Sequence, residues 1–465
     1  MDITNKLWNF CHILRHDGMD YADYVEQLTY LLFLKMADEG SIEVPADCHW
    51  RDMLTLSGKA LTDYYDTALN ILRGEPGILG QIFQEPISKI KNAASLKKIV
   101  EGIEEIGWTK LGKDVQGEAF EGLLERTANE GKKGAGQFFT PRPLIQAIVN
   151  VMQPNPLEGR RSKIADVACG TAGFLTVAAE WSRLHSGAVK QADKDYIRRS
   201  AYYGQELVVR PFRLGLMSMF LHDIEANISL KDSIYDGDLL GEEYDCILTN
   251  PPFGSRGSIG IPKLRNFPVE TSNIQINFIQ HIYEVLSEHG RAAIVLPDSA
   301  LTDAKAREVW QILITENLCR VHTILKLPRG TFTPYANGVR ACVVFLQKGS
   351  GTKSLWVYDS RSNVPGITKK SRPLDYGQHF AAFVEAYGSD PNGKGKRTQS
   401  ERFRKFTLAD IAANNYSLDF SWIEDNSLIN DGELQKPITY IEDTLSELDS
   451  LNSIIASIKD LLEGN

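Results

Sequence analysis

The chain lacks most of the features that would make it a membrane, secreted or metal-dependent protein. Its longest apolar stretches, Ala292–Leu296 and Ala341–Leu346, have the length of strands and fall far short of a bilayer span. The N-terminus, Met-Asp-Ile-Thr-Asn-Lys, has no basic segment followed by an apolar one, so it does not read as a secretory leader. Six cysteines are scattered at 11, 48, 169, 246, 319 and 342. None forms a close pair, which removes zinc spacing and argues against a disulfide framework. Reduced thiols and a cytoplasmic location are the expectation. A surplus of positive charge is also missing. The net charge is −9, whereas a protein that gripped DNA unaided would usually carry a basic surface. A local basic cleft remains compatible with that figure, but much of any DNA grip would come from a partner.

What is present is periodic. Leu7, Phe10, Leu14, Tyr24, Leu28, Leu31, Leu32 and Leu34 recur at helical steps between residues 7 and 38. Helical patterns return over 63–73, 95–106 and 115–128, so residues 1–130 read as a helical domain. A glycine-rich loop, EGKKGAGQFFT, follows over 130–140, and Pro141 and Pro143 stand where a helix can begin. From Lys163 strands alternate with helices. Strands are expected at 163–167, 201–206, 244–249, 291–296, 321–327 and 340–347, and helices at 173–183, 210–222 and 274–288. That alternation predicts an α/β fold, a doubly wound, mainly parallel sheet covered on both faces over 131–350. Ligands of such sheets bind beyond the carboxyl ends of the strands. Residues 351–430 read as an irregular extension with a flexible loop near 388–400. Residues 431–465 contain an amphipathic pattern that suits packing at home or a coiled coil with a partner.

Three motifs sit where strands end, and a fourth precedes a strand. Asn250-Pro251-Pro252-Phe253 follows the strand YDCILT. An adenine amine is a poor nucleophile because its lone pair is delocalised into the ring. Acceptors for both amine protons draw the nitrogen towards a tetrahedral geometry and free that pair. The Asn250 side-chain oxygen and the Pro251 carbonyl are such acceptors, Pro251 and Pro252 stiffen the loop, and Phe253 offers a face to a flipped base. Upstream, the run from Asp166 to Leu175, DVACGTAGFL, follows the strand KIADV. Gly170 permits a tight turn, and Gly173 permits close approach. The run is not GxGxxG, so a dinucleotide fingerprint fits less well. Glu206 ends the next strand, where an acid can hold ribose hydroxyls. Asp238, in DGDLL, is placed to take an exocyclic amine of a cofactor's adenine ring. No cysteine follows a proline in the manner of cytosine-C5 enzymes.

These motifs, preceded by GAGQFFTPRPL, resemble the methylase (modification) subunit of Type I restriction-modification systems, which are adenine-N6 DNA methyltransferases. The resemblance runs from the helical N-terminus to about Gln347. It implies S-adenosylmethionine (SAM) as methyl donor. It implies a cofactor pocket lined by Gln137, Phe138, Phe139, Thr140, Pro141 and Arg142, with Thr171, Ala172 and Gly173 as the methionine-binding turn and Glu206 as ribose ligand. Asn250, Pro251, Pro252 and Phe253 match the family's catalytic tetrad. The partners implied are double-stranded DNA and a separate specificity subunit, with two methylase chains per specificity chain, and a translocating nuclease subunit can join them. The helix expected over 438–462 would then be the docking element. Two other readings share parts of this pattern: a protein glutamine-N5 methyltransferase, whose amide substrate poses the same chemical problem, and a silent methyltransferase-fold scaffold.

Overall fold

The computed structural model describes residues 3–16, 18–40, 42–130, 139–159, 161–187, 189–225, 227–235, 243–253, 260–262, 265–333, 339–368 and 371–425. Among them a nine-stranded sheet has the order β3-β2-β1-β4-β5-β7-β6-β8-β9. The strands are β1 (Ile164–Asp166), β2 (Tyr202–Glu206), β3 (Asn227–Leu230), β4 (Tyr244–Thr249), β5 (Leu286–Pro297), β6 (Cys319–Lys326), β7 (Ala341–Lys348), β8 (Ser354–Asp359) and β9 (Phe403–Thr407). The five strands from β3 to β5 run parallel. β7 returns antiparallel between β5 and β6. β8 is parallel to β6, and β9 closes the edge antiparallel to β8. The parallel strands β1 and β4 are buried along nearly their whole length, as strands covered on both faces must be.

β1 and β4 are the neighbours at which the chain reverses its direction of winding, with Ile164 opposite Cys246 and Ala165 opposite Ile247. Such a switch point opens a crevice beyond the carboxyl ends of the two strands. The DVACGTAGFL turn leaves β1 and the NPPF loop leaves β4, so both open into that crevice.

One expectation is made more specific and one is corrected. The helical pattern over 7–38 is carried by two helices, Ile3–His16 and Tyr21–Glu39. Gly18 turns the chain at φ +85°, and Asp20 caps the second helix by accepting from the Asp23 backbone at 2.8 Å. The stretch 351–430, expected to be irregular, adds β8 and β9 to the sheet. Its glycine- and lysine-rich loop is pinned rather than free. Arg320 of β6 donates to the carbonyls of Asn392 and Gly393 at 3.0 and 2.7 Å. Arg397 donates to Tyr387 O at 2.9 Å and to the Thr323 hydroxyl at 2.7 Å.

The helical region packs on the sheet's own helices to form one contact unit, Met1–Arg361 with Gly366–Ser421. Arg213, buried in the helix Val209–Leu221, reaches into it. Its guanidinium pairs with Glu26 and donates to the carbonyls of Ile82 (2.7 Å) and Gln84. A second, small unit contains residues 362–365 and 422–425, held internally by Asn363 donating to the Glu424 carbonyl at 3.0 Å. The expected helix at 438–462 lies outside the described residues. Among the described residues no helix is long and apolar enough to cross a membrane.

Candidate active site

A cavity of about 710 Å³ opens at the β1/β4 crevice. That is the size of a pocket that takes a cofactor or drug-sized ligand. Its wall contains Phe139, Thr140, Arg142, Asp166, Gly170, Thr171, Gly173, Glu206, Asn250, Pro251, Pro252 and Phe253. Residues predicted from four separate motifs thus meet in one space. Pro141 and Ala172 are not on the wall. Pro141 precedes the helix Arg142–Met152, and Ala172 is buried in the turn. Gln137, Phe138 and Asp238 lie outside the described residues.

The glycine turn is built for close approach. Gly170 has φ +53°, a left-handed conformation that suits glycine. Ala172 repeats it at φ +62° and begins the helix Gly173–His185 without a side-chain cap. That helix start therefore keeps backbone N–H groups for a ligand. The Gly170 amide donates to Glu206 Oε2 at 3.0 Å, tying the turn to the end of β2. Glu206 Oε1 accepts from the amides of Leu207 (2.9 Å) and Val208 (2.8 Å), which fixes the carboxylate at the cavity wall.

Asn250 leaves β4 directly into the cavity. Its Nδ2 donates to Thr140 Oγ1 at 3.0 Å. Its Oδ1 is buried and has no hydrogen-bond partner among the described residues. A buried acceptor left open costs about 1–3 kcal/mol, and one that lines a cavity is open to a donor on a ligand. Phe253 meets the edge of Phe332 at 5.9 Å and 84° between ring planes. Phe332, also on the wall, was not anticipated from the sequence. It sits in the loop after β6, where only the run Gly330-Thr331-Phe332 marked a turn.

The wall is strongly acidic. Glu118, Glu121, Glu125, Asp166, Glu206 and Asp232 face it, against Arg142 and Lys231. Arg142 is already committed: its guanidinium pairs with Glu121 and, at 2.7 Å, with Glu180. Burial pushes the Asp166 carboxyl up to about 7, against the lowering effect of a hydrogen bond from the Ala168 amide. An acidic wall suits a cofactor with a sulfonium and an ammonium group. The donor set, the cavity volume and the open Asn250 oxygen are together what SAM and an amine substrate require.

Asp232 is a second residue the sequence reading missed. It follows β3, which lies beside β2, and its Oδ1 accepts from the amides of Ile234 (2.9 Å) and Tyr235 (3.1 Å). It is an acid on the loop leaving the strand next to Glu206, whereas the sequence offered Asp238, ahead of β4, for the cofactor's adenine.

The chain matches the family model of N-6 DNA methylases over residues 111–430 and that of the HsdM N-terminal domain over residues 3–41. It belongs to the N-6 DNA methylase family. This methylase is 34% identical over 519 residues to the Type I restriction enzyme StySPI methylase subunit of Salmonella potsdam, covering 100% of this chain and 96% of that protein. It is 33% identical over 515 residues to the EcoKI methylase subunit of Escherichia coli K12, covering 99% and 95%. Among solved structures, the crystal structure of the EcoKI M protein matches with a TM-score of 0.57 at 30% identity, over 98% of this chain and 96% of that one. A chain from a structural study of assembly and conformational transition in a type I R-M system matches with a TM-score of 0.77 at 25% identity, over 100% and 98%. The methylase is accordingly a SAM-dependent adenine-N6 DNA methyltransferase of the Type I restriction-modification kind. The glutamine-methylating and scaffold readings are not favoured.

Proposed function

We propose that the β1/β4 cavity is where a flipped-out adenine meets the methyl donor, and that Asn250 and Pro251 hold the adenine amine during transfer. The observation that carries this is the buried, unpartnered Asn250 Oδ1 on the cavity wall. An acceptor in that state answers to a donor on the substrate. The Pro251 carbonyl would take the second amine proton. Two acceptors on one nitrogen shift its geometry towards tetrahedral and localise its lone pair. Phe253 and Phe332 form an aromatic corner against which the extruded base can stack, worth about 1–3 kcal/mol against the few kcal/mol that extrusion costs.

Bound SAM supplies an electrophilic methyl group on a sulfonium centre. Gly170, Thr171 and Gly173 would approach its amino-acid portion together with the segment Gln137–Arg142, Glu206 its ribose, and Asp232 its adenine ring. Catalysis by these residues is positioning and electrostatics, with no covalent intermediate on the protein. Sequence recognition would fall to a specificity subunit, with residues 431–465 as the docking segment and two methylase chains flanking one specificity chain.

The test is Asn250→Ala in the assembled enzyme, with methyladenine read by nucleoside mass spectrometry. Turnover should fall about 10²–10³-fold, the usual loss on deleting one transition-state hydrogen bond. SAM affinity should stay within about twofold. Near-normal turnover would contradict the reading.

A further inference from the structure

We propose that Thr140 is a positioning residue for methyl transfer: its hydroxyl holds the Asn250 amide so that Oδ1 is presented to the adenine amine. The inference rests on the reading of Asn250 as the amine's acceptor and adds the group that acts through it. Thr140 Oγ1 lies 3.0 Å from Asn250 Nδ2, across 110 residues of sequence. The opposite end of the same amide, Oδ1, is buried with no partner among the described residues. Both residues line the cavity, so the pair places one end of the amide on the protein and leaves the other for the substrate.

The two ends of an asparagine amide are nearly equal in size and opposite in chemistry. Rotated by half a turn, Asn250 would set its own N–H groups against the amine's N–H groups, and the substrate would meet repulsion in place of an acceptor. A hydroxyl at Nδ2 fixes the plane of the amide, and the incoming amine, which has only protons to offer on the side it presents, completes the choice of Oδ1. The same bond has an electronic effect. A hydrogen bond donated from Nδ2 polarises the amide and makes Oδ1 a stronger acceptor.

Thr140 is itself well placed to be rigid. Pro141 follows with φ −58°, and its carbonyl accepts from the amides of Leu144 and Ile145 at 3.0 and 3.1 Å. One residue further on, Arg142 is fastened to Glu121 and Glu180. The threonine thus projects from an anchored helix start towards the tip of β4. Thr140 also belongs to the segment proposed to approach SAM, and the two roles separate in the kinetics. A pocket-lining threonine governs cofactor affinity, whereas a positioning threonine governs turnover of the bound complex.

The experiment compares Thr140→Val, which keeps the shape and removes the acceptor, with Thr140→Ser, which keeps the acceptor. Both are made in the assembled enzyme with SAM and its DNA. The expected result is a fall in kcat of about tenfold or more for Thr140→Val, with the SAM dissociation constant and the KM for DNA within about twofold, and recovery to within about threefold for Thr140→Ser. The inference is overturned if Thr140→Val turns over normally, if its whole loss is weaker SAM binding, or if serine behaves like valine. Asn250→Ala is measured beside them. An inactive Asn250→Ala with a normal Thr140→Val removes only the Thr140 assignment, while an active Asn250→Ala removes the reading on which it rests.

Discussion

At the level of single residues the site turns on Asn250, whose Nδ2 is held by Thr140 while its Oδ1 faces the cavity. Asn250 was read from NPPF together with the glycine turn upstream, because the chemistry of an amide or aromatic amine calls for paired acceptors after a strand. Its partner was not legible. Thr140 is far away in sequence, and only the fold brings its hydroxyl to the Asn250 amide. Asp166 shows another effect the sequence could not carry. Burial raises its carboxyl to about 7, so the folded protein binds a proton there that the unfolded chain releases. Its contribution to stability is therefore most favourable below the ordinary carboxylate range, is lost as pH rises towards 7, and levels off above. Asp166→Asn removes that dependence while keeping an oxygen for the Ala168 amide. The variant should melt higher than the parent at pH 8, by an amount worth on the order of a few kcal/mol, with the gap shrinking as pH falls towards 4. Melting curves across that range check it; a gap that does not change with pH would contradict the assignment.

At the level of elements, long apolar or alternating segments were readable and short edge segments were not. β4 was read at its observed limits, and the strands flanking it within a few residues. β3 was missed because it has four residues, an exposed first position and a single buried apolar side chain, Ile228. With β3 missed, Asp232 drew no attention, and the cofactor's adenine was assigned to Asp238 of DGDLL, which lies outside the described residues. With β3 in the sheet, Asp232 stands on the cavity wall as a second candidate. Asp232→Ala should weaken SAM binding about 10- to 100-fold, as expected for a hydrogen bond to a charged group. Asp238→Ala should change it by less than about threefold. Isothermal titration of both variants decides between them, and the reverse ranking would return the role to Asp238. β8 and β9 were missed for a different reason. Ser354–Asp359 reads well as a strand, but the region carried no motif, and the polar loop before β9 has a linker's composition, although Arg320 binds two of its carbonyls and its own Arg397 reaches Tyr387 and Thr323.

At the level of the whole molecule, the helical region and the sheet share one core, joined by the buried Arg213 and by the Arg142–Glu121 pair. The cavity wall inherits three glutamates from the helix Lys113–Glu130, so the helical region contributes to the cofactor site as well as to packing. A net charge of −9 with an acidic cavity suits a subunit that binds a cationic cofactor and relies on partners for much of its hold on DNA. A reconstruction of the assembled complex, holding a non-transferring SAM analogue and its DNA site, would show the adenine in place. Two methylase chains per specificity chain are expected. In the occupied cavity, the adenine amine should lie about 3 Å from both Asn250 Oδ1 and the Pro251 carbonyl, with its ring against Phe253 and Phe332. An extruded base whose amine is held by other groups, or a target base still stacked in the duplex beside a filled cofactor pocket, would contradict this arrangement.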